Sequence, residues 1–587
     1  MTQTDTATTE PQALSRPARL AWLLLILATL YICYFHNLGA IGLVGPDEPR
    51  YAWIARAMAE SGDWVTPRLY GKPWFEKPVL YYWGAAAFFK VFGVSEVTAR
   101  LPSAISALLA TLALAWLALR LYGAETARWL LLLLPTTVGM IGFSHAAATD
   151  MPFAAMLIIA MVFAAHLVGL VPISATEVKE VKEVQDPKKT DRPSQLVAAR
   201  SSSFTSFTSS TSFTSLFLGF FLGLATLAKG PAAIILSGGA VLLWAIFTKR
   251  WRDAFRCFHP LAVASFCLTA LPWYILCARR NPDFFRVFII EHNFKRYLTP
   301  EFQHIQPFWF YAIVVALALV PWTLLSIWCA IFSSLRSLRA RRISENAIFL
   351  LSWALFCLAF FSASKSKLPG YILPALPPIV ALLARSYVSF SVSAERMFRQ
   401  QIFAWSSLSL LVSLGFLWEG RHFRTANASA AGPAFAMGSI LLLFTIAYLL
   451  LAIKNENRFQ PDYRSLCVVP VILIVALFQM FASPWIRWDP SGKSLAKDLQ
   501  AQSLQLDQIY IGSAMPRGQQ FSLNFYLRHE FENWSKGLPK NGYLLLRFPY
   551  CSDFVSEPWQ CASKPIKLER SGWYLYQVSR TTSSGRP

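Results

Sequence analysis

No Cys-X-X-Cys pair occurs among the nine cysteines, so the ligand spacing of a structural zinc site is missing. A Walker loop, a Rossmann glycine fingerprint and any nucleotide-sugar fold signature are also missing. No compact basic module interleaved with aromatics appears, which excludes nucleic acid as a partner despite the formal net charge of +22. Charged residues are scarce, 15% against 55% hydrophobic, and the mean hydropathy of +0.41 lies well above that of a soluble domain. The surplus of Lys and Arg therefore reads as basic cytoplasmic loops attracted to anionic lipid heads.

What is present is a succession of apolar runs near the 20 residues that cross a bilayer. Residues 1–19 are polar and Thr-rich, and are expected to be a disordered cytoplasmic tail. Arg16 and Arg19 precede the first run, 20–38, which is too long for a signal-peptide core and lacks a small-residue cleavage site. Further runs lie near 97–119, 125–143, 150–170, 214–229, 231–248, 257–277, 308–332, 346–363, 370–385, 401–418, 434–453 and 466–483, about 13 spans in all. With the N-terminus inside, every loop assigned to the cytoplasm is basic, as the positive-inside rule requires. The odd count then delivers the C-terminus to the outer face.

The expected architecture is an all-α polytopic membrane domain over 20–483 with a small C-terminal α/β domain over 484–587. An outer loop spans 39–96, and 172–213 reads as a disordered cytoplasmic insertion of Glu/Lys and Ser/Thr/Phe composition. In the C-terminal domain a short helix is expected over Ser494–Ala501, with strands over Gln508–Gly512, Ser522–Leu527, Tyr543–Arg547 and Trp573–Val578. Seven cysteines lie in or beside apolar runs, where Cys acts as a small hydrophobe. Cys551 and Cys561 stand apart in the polar C-terminal region and are expected to be disulfide-bonded in an oxidising compartment.

Polar chemistry concentrates on the outer face of this topology. Gly45-Pro-Asp-Glu-Pro-Arg-Tyr-Ala52 follows the first span, and Gly71-Lys-Pro-Trp-Phe-Glu-Lys-Pro-Val-Leu-Tyr-Tyr-Trp83 follows in the same loop. Asp47, Arg50, Glu76 and Lys77 lie there, Asp150 starts the fourth span and Lys229 ends the fifth. Glu291, His292 and Arg296 lie in the outer loop between spans seven and eight, and Lys365 and Lys367 in the next. Each has a plainer reading: Asp47 as a helix N-cap, the lysines as snorkelling anchors, Asp150 and Lys229 as a structural ion pair. Taken together they suit a charged head group on a lipid tail. Cations around a polyprenyl phosphate stabilise it as a leaving group, and Asp47 takes the acceptor's proton. Glu76 and His292 offer an O,N pair for a divalent ion. A flippase for the same lipid is the alternative, but it calls for charges near the bilayer midplane.

The order Gly45-Pro-Asp-Glu-Pro-Arg-Tyr, Gly62-Asp-Trp, Phe75-Glu-Lys-Pro, Ala148-Thr-Asp150, Leu227-Ala-Lys-Gly-Pro231, Glu291-His-Asn and Ser364-Lys-Ser-Lys-Leu-Pro resembles the integral-membrane GT-C glycosyltransferases. It is closest to the aminoarabinose transferases of lipid A and their relatives in the protein mannosyltransferase superfamily. The resemblance implies a periplasmic active site in the inner membrane, an undecaprenyl-phosphate sugar donor, inversion at the anomeric carbon, and a lipid A, glycan or protein acceptor. By motif, Asp47 resembles the catalytic carboxylate, with Asp150 and Lys229 the acid and lysine lining the cavity. Glu76 and His292 resemble ligands of a zinc, magnesium or manganese ion. Arg50 counts, with Lys77, Arg296, Lys365 and Lys367, among the groups expected to hold the donor phosphate.

Overall fold

The computed structural model describes residues 15–171, 193–298, 305–340, 343–389, 463–481, most of 491–580 and short stretches within 406–446. Among these, seven helices are long and apolar enough to cross a membrane: Arg16–Tyr34, Glu96–Tyr122, Asp150–Leu167, Thr211–Lys229, Pro260–Arg280, Glu345–Ala363 and Pro369–Ser389. Helices dominate because hydrocarbon offers backbone groups no partner outside the segment. Two further runs, 125–143 and 308–332, fold as bent pairs, Ala124–Leu133 with Val138–Ser144 at 64° and Phe310–Ala318 with Thr323–Ile331 at 110°, which raises the count to nine. The run 231–248 is the separate 17-residue helix Ala232–Thr248, divided from its predecessor at Gly230, whose φ of +88° only glycine adopts readily. The runs 401–418 and 434–453 lie largely outside the described residues, so the total of 13 is not reached within them. The chain is an integral membrane protein.

The bundle is built around Asp150–Leu167, 83% of which is buried against its neighbours, whereas Arg16–Tyr34 is only 22% buried and turns Leu20, Leu23, Leu24 and Leu27 outward. The helix Glu96–Tyr122 opens with a capping box in which the Ser95 hydroxyl accepts from the Thr98 N–H (3.2 Å) and the Thr98 hydroxyl from the Ser95 N–H (3.0 Å). Its second turn carries Arg100, 2% exposed. Arg100 makes a two-pronged ion pair with the buried Glu48 (3.1 and 2.8 Å) and donates to the carbonyls of Leu38, Ile41 and Gly42 at 2.7, 2.9 and 2.8 Å. Glu48 also accepts the N–H groups of Val44 (2.8 Å) and Ala147 (2.7 Å). One guanidinium thus ties the outer loop to two spans.

The C-terminal domain carries a five-stranded sheet. Ile509–Ile511 runs parallel to Asn541–Leu546, which pairs antiparallel with Trp573–Arg580, flanked by Trp559–Cys561 and Ile566–Leu568. Helix Lys493–Ala501 and three of the expected strands are present. The expected strand over Ser522–Leu527 is instead part of helix Arg517–Leu527. Leu523 and Leu527, four apart, enter the domain core, while Phe525 joins the core of the Asp47–Ser61 helix. A helix buried on opposite faces places apolar residues two apart, which mimics a strand's period.

Two other expectations change. From Pro193 the Ser/Thr/Phe tract is helical and runs into the span ending at Lys229, since a helix once nucleated propagates at little cost; residues 172–192 lie outside the described residues. Glu291 and His292 lie not in a loop but in the π-helical segment Arg286–Lys295.

Cys551 and Cys561 are disulfide-bonded, with Cα atoms 6.3 Å apart. Thiol labelling of denatured, unreduced protein is expected to leave these two unmodified until a reductant is added; labelling of both beforehand contradicts the bond. Arg100→Ala strands the Glu48 carboxylate in the interior and is expected to cost about 3–5 kcal/mol. Thermal unfolding of the purified variant in detergent measures it, and a wild-type melting temperature would contradict the tie.

Candidate functional site

The site grows from the outer loop. Pro46 and Asp47 start a helix, Asp47–Ser61, in which Asp47 is the first residue and not its cap. Glu48 points inward to Arg100, so its neighbour Asp47 faces the other way, with 48% of its side chain open. The strands Arg68–Leu69 and Lys72–Pro73 form a hairpin that folds Trp74–Lys77 back toward this helix. The turn between them uses Tyr70 and Gly71, both at positive φ, and the Trp74 N–H donates to the Pro67 carbonyl at 2.8 Å.

Arg50 joins the two segments. Its Nη2 lies 2.5 Å from Asp47 Oδ1, its Nη1 3.1 Å from Glu76 Oε2, and its Nε donates to the Pro46 carbonyl at 2.9 Å. Burial works against the guanidinium charge, but Glu76 and Asp47 more than offset it and hold its pKa above the ordinary value. Tyr51 and Tyr82 wall the cluster. Burial, then the Glu76 carboxylate, pushes both phenols well above their usual range, so they stay neutral. The Lys77 ammonium lies 3.9 Å from Glu76 Oε1. Beside this cluster opens a cavity of about 530 Å³ lined by Trp74, Phe75, Glu76, Arg280, Arg286 and His292, among others.

The remaining expected residues fall into three groups. Lys229 Nζ bonds Asp150 Oδ1 at 2.5 Å and sits over the Tyr371 ring at 4.6 Å, where the Gly370 backbone presses so closely on Asp150 that a Cβ would lie 2.7 Å from its carboxylate. Lys365 and Lys367 part company. Lys365 is exposed, whereas Lys367 is buried and its ammonium donates to the carbonyls of Ser364 (2.6 Å) and Gln306 (3.1 Å). The side chain of Arg296 lies outside the described residues.

Glu76 and His292 share the cavity wall, yet among the described residues no three His, Cys, Asp or Glu side chains gather at one point. Glu76 is also flanked by the cations Arg50 and Lys77.

Sequence reasoning passed over Arg100 and Phe521. A charge in the second turn of an apolar span is costly unless paired, which made Arg100 findable. Phe521 gave no signal: it stands just before Ser522–Leu527, the segment that reads as a strand. It lies with Arg50 Cζ 5.5 Å from its ring centre.

Residues 20–172 and 196–288 match the family of dolichyl-phosphate-mannose-protein mannosyltransferases. The undecaprenyl phosphate-alpha-4-amino-4-deoxy-L-arabinose arabinosyl transferase of Edwardsiella ictaluri is 31% identical over 365 residues, 61% of this chain and 58% of that protein. A second such transferase, from Sodalis glossinidius, is 33% identical over 363 residues, again 61% of this chain and 58% of its own length. The chain thus spans less than two thirds of these relatives. Among solved structures, ArnT from Cupriavidus metallidurans bound to undecaprenyl phosphate superposes with a TM-score of 0.68 at 23% identity, covering 97% of this chain and 99% of that one. The chain has the GT-C membrane fold and resembles the aminoarabinose transferases.

Proposed function

We propose that the chain is an inverting glycosyltransferase of the cell inner membrane, with its N-terminus cytoplasmic and its site and C-terminal domain periplasmic. It moves a sugar from a polyprenyl-phosphate donor, undecaprenyl phosphate in the nearest chemistry, to a lipid A, glycan or protein acceptor. The observation that carries this reading is the Asp47–Arg50–Glu76 cluster: a half-open carboxylate anchored to a buried guanidinium, whose second partner Glu76 lines a cavity of about 530 Å³. The names of the similar proteins and the disulfide in the C-terminal domain support it.

In this scheme the acceptor oxygen attacks the anomeric carbon while Asp47 receives its proton. The bond from that carbon to the phosphate oxygen breaks, and the polyprenyl phosphate leaves with the electron pair. Negative charge grows on the leaving oxygen, so a fixed cation there lowers the barrier more than it strengthens ground-state binding. Lys77, Arg296 and Lys365 supply that charge, and Lys367 holds the turn that presents Lys365. Arg50, engaged by two carboxylates, orients Asp47 and Glu76. The Asp150–Lys229 pair, seated at a helix start, joins two spans.

Asp47→Asn keeps volume and removes basicity, so transfer is expected to fall by roughly 100-fold or more with the fold intact. Incubating purified protein with a panel of polyprenyl-phosphate sugars, and following loss of the sugar, reads it. An active Asn variant would refute the base. Lys365→Ala is expected to weaken donor binding by about 1–3 kcal/mol, as a lost charge-assisted contact, and unchanged affinity returns Lys365 to an anchoring role. With Glu76 and His292 as an O,N pair for a divalent ion, chelation and His292→Ala are each expected to lower the metal content; a content unchanged by both removes the metal reading.

A further inference from the structure

The Arg517–Leu527 helix of the C-terminal domain does more than rest on the membrane domain. One of its faces lies on the turn that starts the Asp47–Ser61 helix. The Ser522 hydroxyl donates to the Leu43 carbonyl at 2.9 Å, and Asn524 Nδ2 donates to the Tyr70 hydroxyl at 2.9 Å. Gly518 approaches Gly45 so closely that a Cβ would lie 2.7 Å from its carbonyl carbon. Below this face the Tyr526 hydroxyl donates to Glu96 (2.8 Å) and accepts from the Leu43 N–H (3.0 Å), and Lys493 pairs with Glu96 at 2.6 Å. At the rim, Arg56 donates to the Phe525 carbonyl at 3.2 Å and Arg528 pairs with Glu60.

Phe521 occupies the middle of that face. Pro46, Asp47 and Glu76 hold the Arg50 guanidinium by polar contacts. Three rings also stand around it, with centres 5.7 Å (Tyr51), 5.6 Å (Trp74) and 5.5 Å (Phe521) from Cζ. Tyr51 and Trp74 come from the membrane domain, and only Phe521 comes from the C-terminal domain. We propose that the C-terminal domain is part of the catalytic apparatus, with Phe521 a positioning residue that closes over the Arg50 guanidinium and thereby fixes the Asp47 carboxylate. The proposal rests on Asp47 being the base.

The physical reason is dielectric and geometric. An aromatic ring attracts a cation through its quadrupole, and the attraction is larger where water is excluded. Arg50 is nearly buried, 8% exposed in its side chain, while its partner Asp47 is half open. Removing the ring admits water to the guanidinium, weakens its hold on Asp47 and frees the carboxylate to rotate out of line. Misplacement of a catalytic group by a fraction of an ångström lowers the rate of the step without touching the donor.

The experiment uses the full chain and the polyprenyl-phosphate sugar that the wild type turns over fastest. Phe521→Leu retains an apolar side chain and loses the ring, and Phe521→Tyr retains the ring. The Leu variant is expected to lose roughly tenfold in kcat, with donor KM and affinity for undecaprenyl phosphate unchanged. The Tyr variant should return to within about twofold of wild type on the same argument. On an Arg50→Gln background, Phe521→Leu should then cost nothing more, because the cation it acts through is gone. A Leu variant with wild-type kcat, or a full loss added on the Arg50→Gln background, overturns the proposal. If the Leu variant folds poorly, the Tyr variant decides alone: wild-type melting with a tenfold loss of kcat would also overturn it. Failure of the underlying reading is recognised separately, by an Asp47→Asn protein that remains active.

Discussion

A charge pair buried where the chain enters the membrane holds this structure in register. Arg100 donates five hydrogen bonds, two to Glu48 and three to carbonyls of the loop between residues 38 and 42. Taking both charges out of water is costly, and the cost is offset only because nearly every donor and acceptor finds a partner. The same pair determines where the neighbouring residues go. With Glu48 drawn inward and tied to Ala147 at the corner before the Asp150 helix, Asp47 is left half open. Glu48 is therefore the fixed half of the Asp-Glu dipeptide, and Asp47 the available half.

On that base a second, more open layer is assembled. Arg50 gathers a carboxylate from its own helix and one from the hairpin loop, and rings from three segments cover it. Binding energy is spent before any substrate arrives, which is how a preorganised site lowers a barrier. The layering also explains why cations that look alike in sequence do different work. Lys367 is consumed in holding a turn through two carbonyls, whereas Lys365, two residues earlier, stays exposed.

The C-terminal domain meets this layer through a helix with two buried sides. Leu523 and Leu527 belong to its own core, and Phe525 belongs to the core of the Asp47 helix. The ties to Glu96, Leu43 and Tyr70 are polar and specific, so the seat is defined by geometry more than by area. These contacts seat the small domain against the start of the Asp47–Ser61 helix.

Much of this was legible in the chain. Apolar runs of span length, with basic residues in alternate loops, determine a polytopic helical protein, because hydrocarbon permits few other ways to satisfy the backbone. The Gly-Pro-Asp-Glu-Pro-Arg and Phe-Glu-Lys-Pro segments determined that acidic and basic groups would meet at one membrane face. The isolated pair Cys551 and Cys561 determined where a bridge would form. What only the tertiary structure decided is which of those charges are spent on one another. Arg50 became the partner of Asp47 and Glu76, with Lys77 on the other side of Glu76. The Ser522–Leu527 segment became a helix because two different cores claim its opposite sides, a fact absent from its own residues. Local sequence carries period and charge, but the pairing of charges across 52 residues, as between Glu48 and Arg100, is set by how the spans pack.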